Sequence, residues 1–505
     1  MPRPAMAIAI LVAAINVTVH AVRASTIDIS VADENGNQLP ARVHLADSSD
    51  KPQKANSDPF WNDHFVCDGK ATANVQPGEF TWVIERGPEY EHAKGKLAVA
   101  KNETAKLDVT LHRIATLRDE GWYSGDLHVH RSTADIKTLM MAEDLDFALV
   151  ITWWNRPSKD AKPAEQTVFQ FDGHRIYQSV AGEDEREGGA LLYFGLKKPL
   201  DLTVSSREYP SPMAFVRLAR QLNSNVWIDI EKPFWWDVPM WLASGQMNSI
   251  GIANNHMCRS QMYEDEAWGK PRDAARLPDP RGNGFWTQEI YYHILNSGLH
   301  LPPSAGSASG VLPNPVGYNR VYVHLDKPFT CDNWFQALSK GNSFVTNGPL
   351  LRATANEKIP GETFKLNGPT LDVSLDINLT SRDRVSQIEV IHNGSVVSTF
   401  SCGEQTSHDI SRQFAVSKPG WFLVRAIADV DHTFRFASTA PWFIESDAQP
   451  TYINKRSAQF FLDWVDERID RVKKNVADPL QQAEVLEPHE RAREFWTERV
   501  QNATD

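Results

Sequence analysis

His128 and His130 lie either side of one residue in the stretch Gly125-Asp126-Leu127-His128-Val129-His130. Apolar Leu127 and Val129 alternate with them, which predicts a β-strand. Side chains on a strand alternate faces, so the two imidazoles point the same way and can share one divalent ion. Two ligands do not make a site, and the simpler alternative is a pair of hydrogen-bonded histidines at a strand end. Further ligand-type residues follow along the chain: Glu183, Glu231-Lys232 and His256. Each falls at the C-terminal end of a segment patterned as a strand, as do Trp153-Trp154-Asn155 and Ser307-Ala308-Ser309. In repeated β-then-α units such ends share one rim, where chemistry collects.

The elements that would position these residues come from the alternation of the middle of the chain. Ala134 to Asp144 has helical spacing, and Ala148 to Thr152 is a continuous apolar strand. Ser211-Pro212 starts a helix; residues 226–230, 249–253 and 320–325 are predicted strands, and 238–244 and 285–297 predicted helices. Residues 25–116 carry short alternating strands with turn signals such as Asp33 to Gly36, predicting a small β-sandwich. Residues 350–446 return to that pattern. In residues 447–505, Phe461, Trp464, Val465, Ile469 and Val472 form one apolar stripe on a helix. This stripe is expected to dock on the barrel or sandwich, with a partner or membrane surface as the alternative. The polar stretch Glu264 to Asn283 is expected to be a long mobile loop.

A chain of 505 residues exceeds one core, and about two to four domains are expected. Its hydrophobic content of 41% and charged content of 23% are those of a globular protein. The net charge of −12, without a basic tract, speaks against nucleic-acid binding. At the N-terminus, Arg3, the apolar run Ala5 to Ile15 and Val22-Arg23-Ala24 predict a signal peptide (1–24) cleaved after Ala24. The expectation is export to the periplasm, cell envelope or medium, with no integral membrane span once the peptide is removed; an uncleaved anchor is the alternative. The four cysteines are scattered, so three disulfide connectivities stay open. Most of the 16 tryptophans are expected in the core, although aromatic walls also bind sugars.

The run from Gly125 to His130, the segment Asp146 to Thr152 and Gly182-Glu183 together resemble the opening of the polymerase-and-histidinol-phosphatase (PHP) metallohydrolases. Within that superfamily the chain is most similar to the CehA/McbA branch, which Phe344 to Pro349 also resembles. Residues 25–116 resemble the carboxypeptidase-regulatory or transthyretin-like accessory domains. The resemblance implies an α/β fold: a distorted seven-stranded β/α barrel over 117–349, flanked by two β-sandwiches and a C-terminal helix. It further implies up to three divalent metals and hydrolysis of ester or phosphoester bonds.

The metal motifs are degenerate. The family's T-D-H-N reads Thr152-Trp153-Trp154-Asn155, its H-P reads Lys232-Pro233, and its terminal D-x-H falls at Ala308 and Gly310. A three-metal site is therefore not expected. One reading rebuilds the site around a single Zn²⁺, Mn²⁺ or Fe²⁺ held by His128, His130, Glu183 and His256, with Asp126 or Asp135 orienting the histidines. Glu231 would act as general base, and Lys232 or Arg131 would stabilise developing negative charge. The substrate would be a small molecule or envelope-derived, cleaved at an ester, carbamate, amide or phosphoester. The other reading has Lys232 stand in for a metal, giving a non-catalytic envelope protein that binds a carbohydrate or an anionic ligand.

Overall fold

A computed structural model describes residues 25–157, 163–447 and 451–504, so the expected signal peptide lies outside the described residues. Among the described residues there are 28 strands and seven α-helices, a mixed α/β protein in which strand predominates.

The central unit opens with β1 (Trp122–Val129), α1 (Ile136–Ala142), β2 (Phe147–Trp154), β3 (Arg175–Arg186) and β4 (Gly189–Phe194). It continues through α2 (Pro212–Leu222), β5 (Trp227–Ile230), α3 (Val238–Ser244), β6 (Ser249–Ala253), α4 (Gly282–Asn296), β7 (Pro303–Ala305), β8 (Arg320–His324) and α5 (Cys331–Ser339). The β1–β2, β2–β3, β5–β6 and β6–β7 pairs are parallel. The β3–β4, β4–β5 and β8–β1 pairs are antiparallel. The expected repetition of β-then-α units is thus interrupted: Glu187 and Gly188 turn β3 straight into β4. Gly189 makes that turn possible, because at φ +118° its backbone lies against Trp235, whose ring would meet any Cβ there. After β7 the chain returns to β1, where the amide of Ala308 donates to His128 O (2.7 Å) and that of His130 to Ser309 O (2.8 Å).

Local signals set the helix ends. The Ser211 hydroxyl accepts from the Met213 amide, with Pro212 at the first helical position, and left-handed Gly245 stops α3. Strand interiors such as Leu149, Ile228, Ile250 and Val321 are buried in the central core.

Residues 25–113 fold as a three-stranded and a five-stranded sheet over their own core. Ser25–Ala32 lies between antiparallel Lys70–Val75 and parallel Thr104–Thr110. Charged side chains join this sandwich to the central unit. Buried Arg42 pairs with Glu85 in the sandwich (2.6 Å) and with Glu143 after α1, and Arg113 donates to Asp144 (2.7 Å). On the other side the sheet is continuous, since β8 pairs with Ser343–Thr346, which pairs with Phe436–Thr439 of the C-terminal strands. Trp122 and Tyr322 accordingly belong to the C-terminal core.

The C-terminal segment forms a hairpin of α6 (Lys455–Asn475) and α7 (Pro479–Gln501). The predicted stripe from Phe461 to Val472 is buried, facing α3, α4 and α7. Arg468 clamps it down, donating to both oxygens of Glu208 (3.0 and 2.6 Å) and to Asp237 (2.6 Å).

Glu264 to Asn283 differs from the expected mobile loop. It is irregular in backbone but pinned to the central unit, where Lys270 N donates to Phe234 O (2.7 Å) and the Trp236 indole donates to Trp268 O (2.7 Å), and it is braced internally by the Arg272–Glu266 pair. Trp268 packs on the Trp235 ring and Gly269 lies against Phe234, contacts that polarity alone does not reveal. All four cysteines are free thiols. No described helix is long and apolar enough to cross a membrane.

Candidate metal centre

The end of β1 delivers His128 and His130 to one side, and β3, two strands along, brings Glu183 against them. His128 Nε2 lies 2.9 Å from His130 Nε2 and 3.3 Å from Glu183 Oε2, and His130 Nε2 lies 3.1 Å from the same oxygen. A tetrahedral ion with bonds of about 2.0–2.1 Å sets its ligand atoms about 3.3 Å apart. The three atoms therefore enclose one ion-sized point, and the residues form one of two groups among the described residues that could hold a metal. His128 and Glu183 are buried and His130 nearly so.

Electrostatics suit a cation there. Burial alone would raise the Glu183 carboxyl, but the two imidazoles outweigh it and hold the group well below the usual carboxylate range. Burial likewise disfavours charge on His130, whose value is lowered, leaving a neutral ligand. On His128 burial is opposed by Glu183 and then Glu231, and the value is raised.

Glu231 and Lys232 sit under this cluster at the end of β5. Glu231 Oε1 is 3.5 Å from His128 Nδ1. Both of its oxygens accept from Lys232 Nζ (2.5 and 2.6 Å), while Trp235 Nε1 (2.8 Å) and Asn255 Nδ2 (2.6 Å) donate as well. With Lys232, Trp235 and Asn255 all donating to it, this carboxylate is held firmly beside His128, an arrangement that can orient that ring. Lys232 is buried, its ammonium 4.6 Å from the Trp235 ring centre.

Two predicted site residues are placed elsewhere. His256 stands outside the metal group, with Nδ1 3.1 Å from the carbonyl of Asp265 and its ring between Phe234 and Tyr263. Burial and the Lys232 charge hold its value well below the ordinary range. Arg131 turns toward the N-terminal sandwich, its guanidinium 5.6 Å from the Trp61 ring, and Trp61 in turn donates to Leu312 O (2.7 Å). The orienting role expected of Asp126 is also different. It accepts from the His128 amide (3.0 Å), the Ser307 hydroxyl (2.5 Å) and the Gly317 amide (2.7 Å), so it fixes the backbone beneath the ring. Asp135 begins α1 without a side-chain cap bond.

The tryptophans at the degenerate motif have separate tasks. Trp153 is buried against Gly182, where a Cβ would lie 1.6 Å from its ring. Trp154 is 38% exposed, stands 5.1 Å from the His130 ring and donates to Glu185 Oε2 (2.9 Å), forming an open wall beside the cluster. Sequence reasoning missed Glu185. Burial, and next the Glu183 charge, push its carboxyl up to about 7. The Glu183-x-Glu185 spacing on one strand face was the available signal. Also missed was the second metal-capable group, in the N-terminal sandwich. There His44 and His64 Nδ1 lie 3.2 and 2.9 Å from Asp63, but Arg42 Nε donates to His44 Nε2 (3.0 Å). A guanidinium on that ring leaves little room for a cation.

No protein-family model, curated protein or solved structure matches this chain.

Proposed function

We propose that the protein is an exported, metal-dependent hydrolase of the PHP type, related to the CehA/McbA branch, with a single-ion site built from His128, His130 and Glu183. The observation that carries the reading is the convergence of Nε2, Nε2 and Oε2 on one point at 2.9–3.3 Å spacing. The succession of parallel strands β1–β2–β3 and β5–β6–β7 is compatible with a PHP-type barrel. A bound divalent ion would supply Lewis acidity at the substrate oxygen and acidify water at neutral pH.

The chain's own residues divide the remaining work. Glu231, held by Lys232, Trp235 and Asn255, fixes the His128 ring through Nδ1. Glu185 stands at the rim, accepting from Trp154 at Oε2, and is the carboxylate assigned to take a proton from water. Trp154 offers an apolar face to the substrate. Such a site suits hydrolysis of an ester, carbamate, amide or phosphoester in a small or envelope-derived molecule.

Elemental analysis of purified protein tests this together with turnover of nitrophenyl ester and phosphoester probes. About one equivalent of Zn, Mn or Fe per chain, lost with activity in His128→Ala, is the expected result. Less than about a tenth of an equivalent, unchanged in His128→Ala, overturns it. The non-catalytic alternative draws on one observation: Lys232 places an ammonium beside the cluster, where its charge is balanced by Glu231.

A further inference from the structure

A cleft of about 490 Å³ opens where the N-terminal sandwich, the central unit and the C-terminal strands meet. It is lined by Lys94 from the first, Arg259 from the second, and Arg382 and Arg435 from the third, against two carboxylates, Glu85 and Asp383. The four cations and two anions leave a surplus of two positive charges, in a chain whose net charge is −12. Two of the arginines act as staples: Arg259 Nε donates to Glu85 Oε1 (3.0 Å), and Arg435 Nη1 to Asp383 Oδ2 (2.7 Å). Glu85 is further committed to buried Arg42 behind it (2.6 Å).

Stapling does not account for the other two cations. Arg382 reaches Glu85 only at 3.5 Å, and its buried Nη1 has no hydrogen-bond partner. Lys94 is exposed at the cleft edge and forms no ion pair among the described residues. A buried guanidinium N–H that makes no hydrogen bond is costly unless something accepts from it. Arginine's planar fork and a lysine beside it are the usual means of holding a phosphoryl group.

We propose that this cleft binds the dianionic phosphate of a phosphomonoester, with Arg382 and Lys94 as its principal donors. The surplus of two charges matches a dianion, and the volume leaves room for the organic part of the ester. His92 and His432 also line the cleft, and each can donate one ring N–H to the same anion. The binding is independent of the metal centre. It can serve a soluble phosphomonoester or the headgroup of a monoester phospholipid.

The test uses purified full-length protein treated with chelator. Inorganic phosphate is titrated calorimetrically, and in a second arm phosphatidylcholine vesicles with and without phosphatidic acid are co-sedimented with the protein. Saturable phosphate binding, weakened about tenfold in Arg382→Gln and in Lys94→Gln and unchanged in His128→Ala, supports the site with a soluble ligand. Sedimentation that requires phosphatidic acid and is lost in the same two variants supports it with a lipid source. Exposed Lys94→Gln keeps the test decisive if Arg382→Gln fails to fold. Absence of binding in both arms, binding indifferent to both substitutions, or binding lost in His128→Ala overturns the proposal.

Discussion

Glu231 Oε1 approaches His128 from Nδ1, the ring nitrogen opposite the one that faces His130 and Glu183. Nε2 is thus the nitrogen turned toward the candidate ligand point. Glu231→Gln is expected to lower metal affinity about 10–100-fold while leaving the fold intact, as loss of a partner behind a ligating imidazole generally does. Equilibrium dialysis against Zn²⁺ with circular dichroism reads both quantities; unchanged affinity would remove Glu231 from its orienting role. His256→Ala, by contrast, is expected to leave affinity unchanged, because that ring lies outside the ligand group.

Asp229 predicts a pH dependence of stability. It is buried beneath the cluster, where burial pushes its carboxyl up to about 7 against hydrogen bonds from Ser249 and Ser304. Between its unfolded value near 4 and its folded value, the native state holds a proton that the unfolded chain has released. Stability therefore falls as pH rises through this window and levels above about 7, with a slope of at most ~1.4 kcal/mol per pH unit from this group. Asp229→Asn is expected to flatten that slope. Urea midpoints measured from pH 5 to 8 would reveal it, and an identical slope in the variant would refute it.

Trp153 and Gly182 are coupled through shared space. Trp153→Ala is expected to cost about 3–5 kcal/mol through the cavity it leaves. Gly182→Ala should also be severely destabilising, since its Cβ would overlap the indole. The double variant should be more stable than the sum of the two losses predicts, because the new methyl enters the vacated volume. A double-mutant cycle by chemical denaturation measures this, and simple additivity would argue against the packing described.

Arg468→Ala strands Glu208 and Asp237, two buried carboxylates, without their cation. The expected loss is about 3–5 kcal/mol, seen as a lower denaturation midpoint. Because the same guanidinium holds α6 to the central unit, α6 and α7 should become the first segment cut in limited proteolysis. Unaltered cleavage order would show that apolar packing alone keeps the hairpin docked.

Much of this was legible in the sequence, for identifiable reasons. The β1 strand, the α2 start at Ser211-Pro212 and the α6 stripe rest on short-range periodicity and capping, and they stand as read. His128, His130 and Glu183 could be paired because strand-end position carries across a sheet. His256 and Arg131 also sit at strand ends, yet their side chains turn to Asp265 and Trp61, a choice made by long-range packing that spacing does not encode. The β3–β4 hairpin hid behind Gly188-Gly189, whose meaning depends on Trp235. Glu264 to Asn283 looked loose because its ordering contacts lie in Phe234 and Trp236, far away in the chain.

The contact of Trp61 with Arg131 and with the Leu312 carbonyl bears on how this protein can be passed on. The N-terminal sandwich supplies the surface on which a residue next to a candidate ligand rests, and its Arg42 completes charges belonging to the neighbouring unit. Exchange for a foreign sandwich would leave Glu143 without its cation and Arg131 without its platform. The two units are therefore fitted to each other, and neither surface is complete without its counterpart.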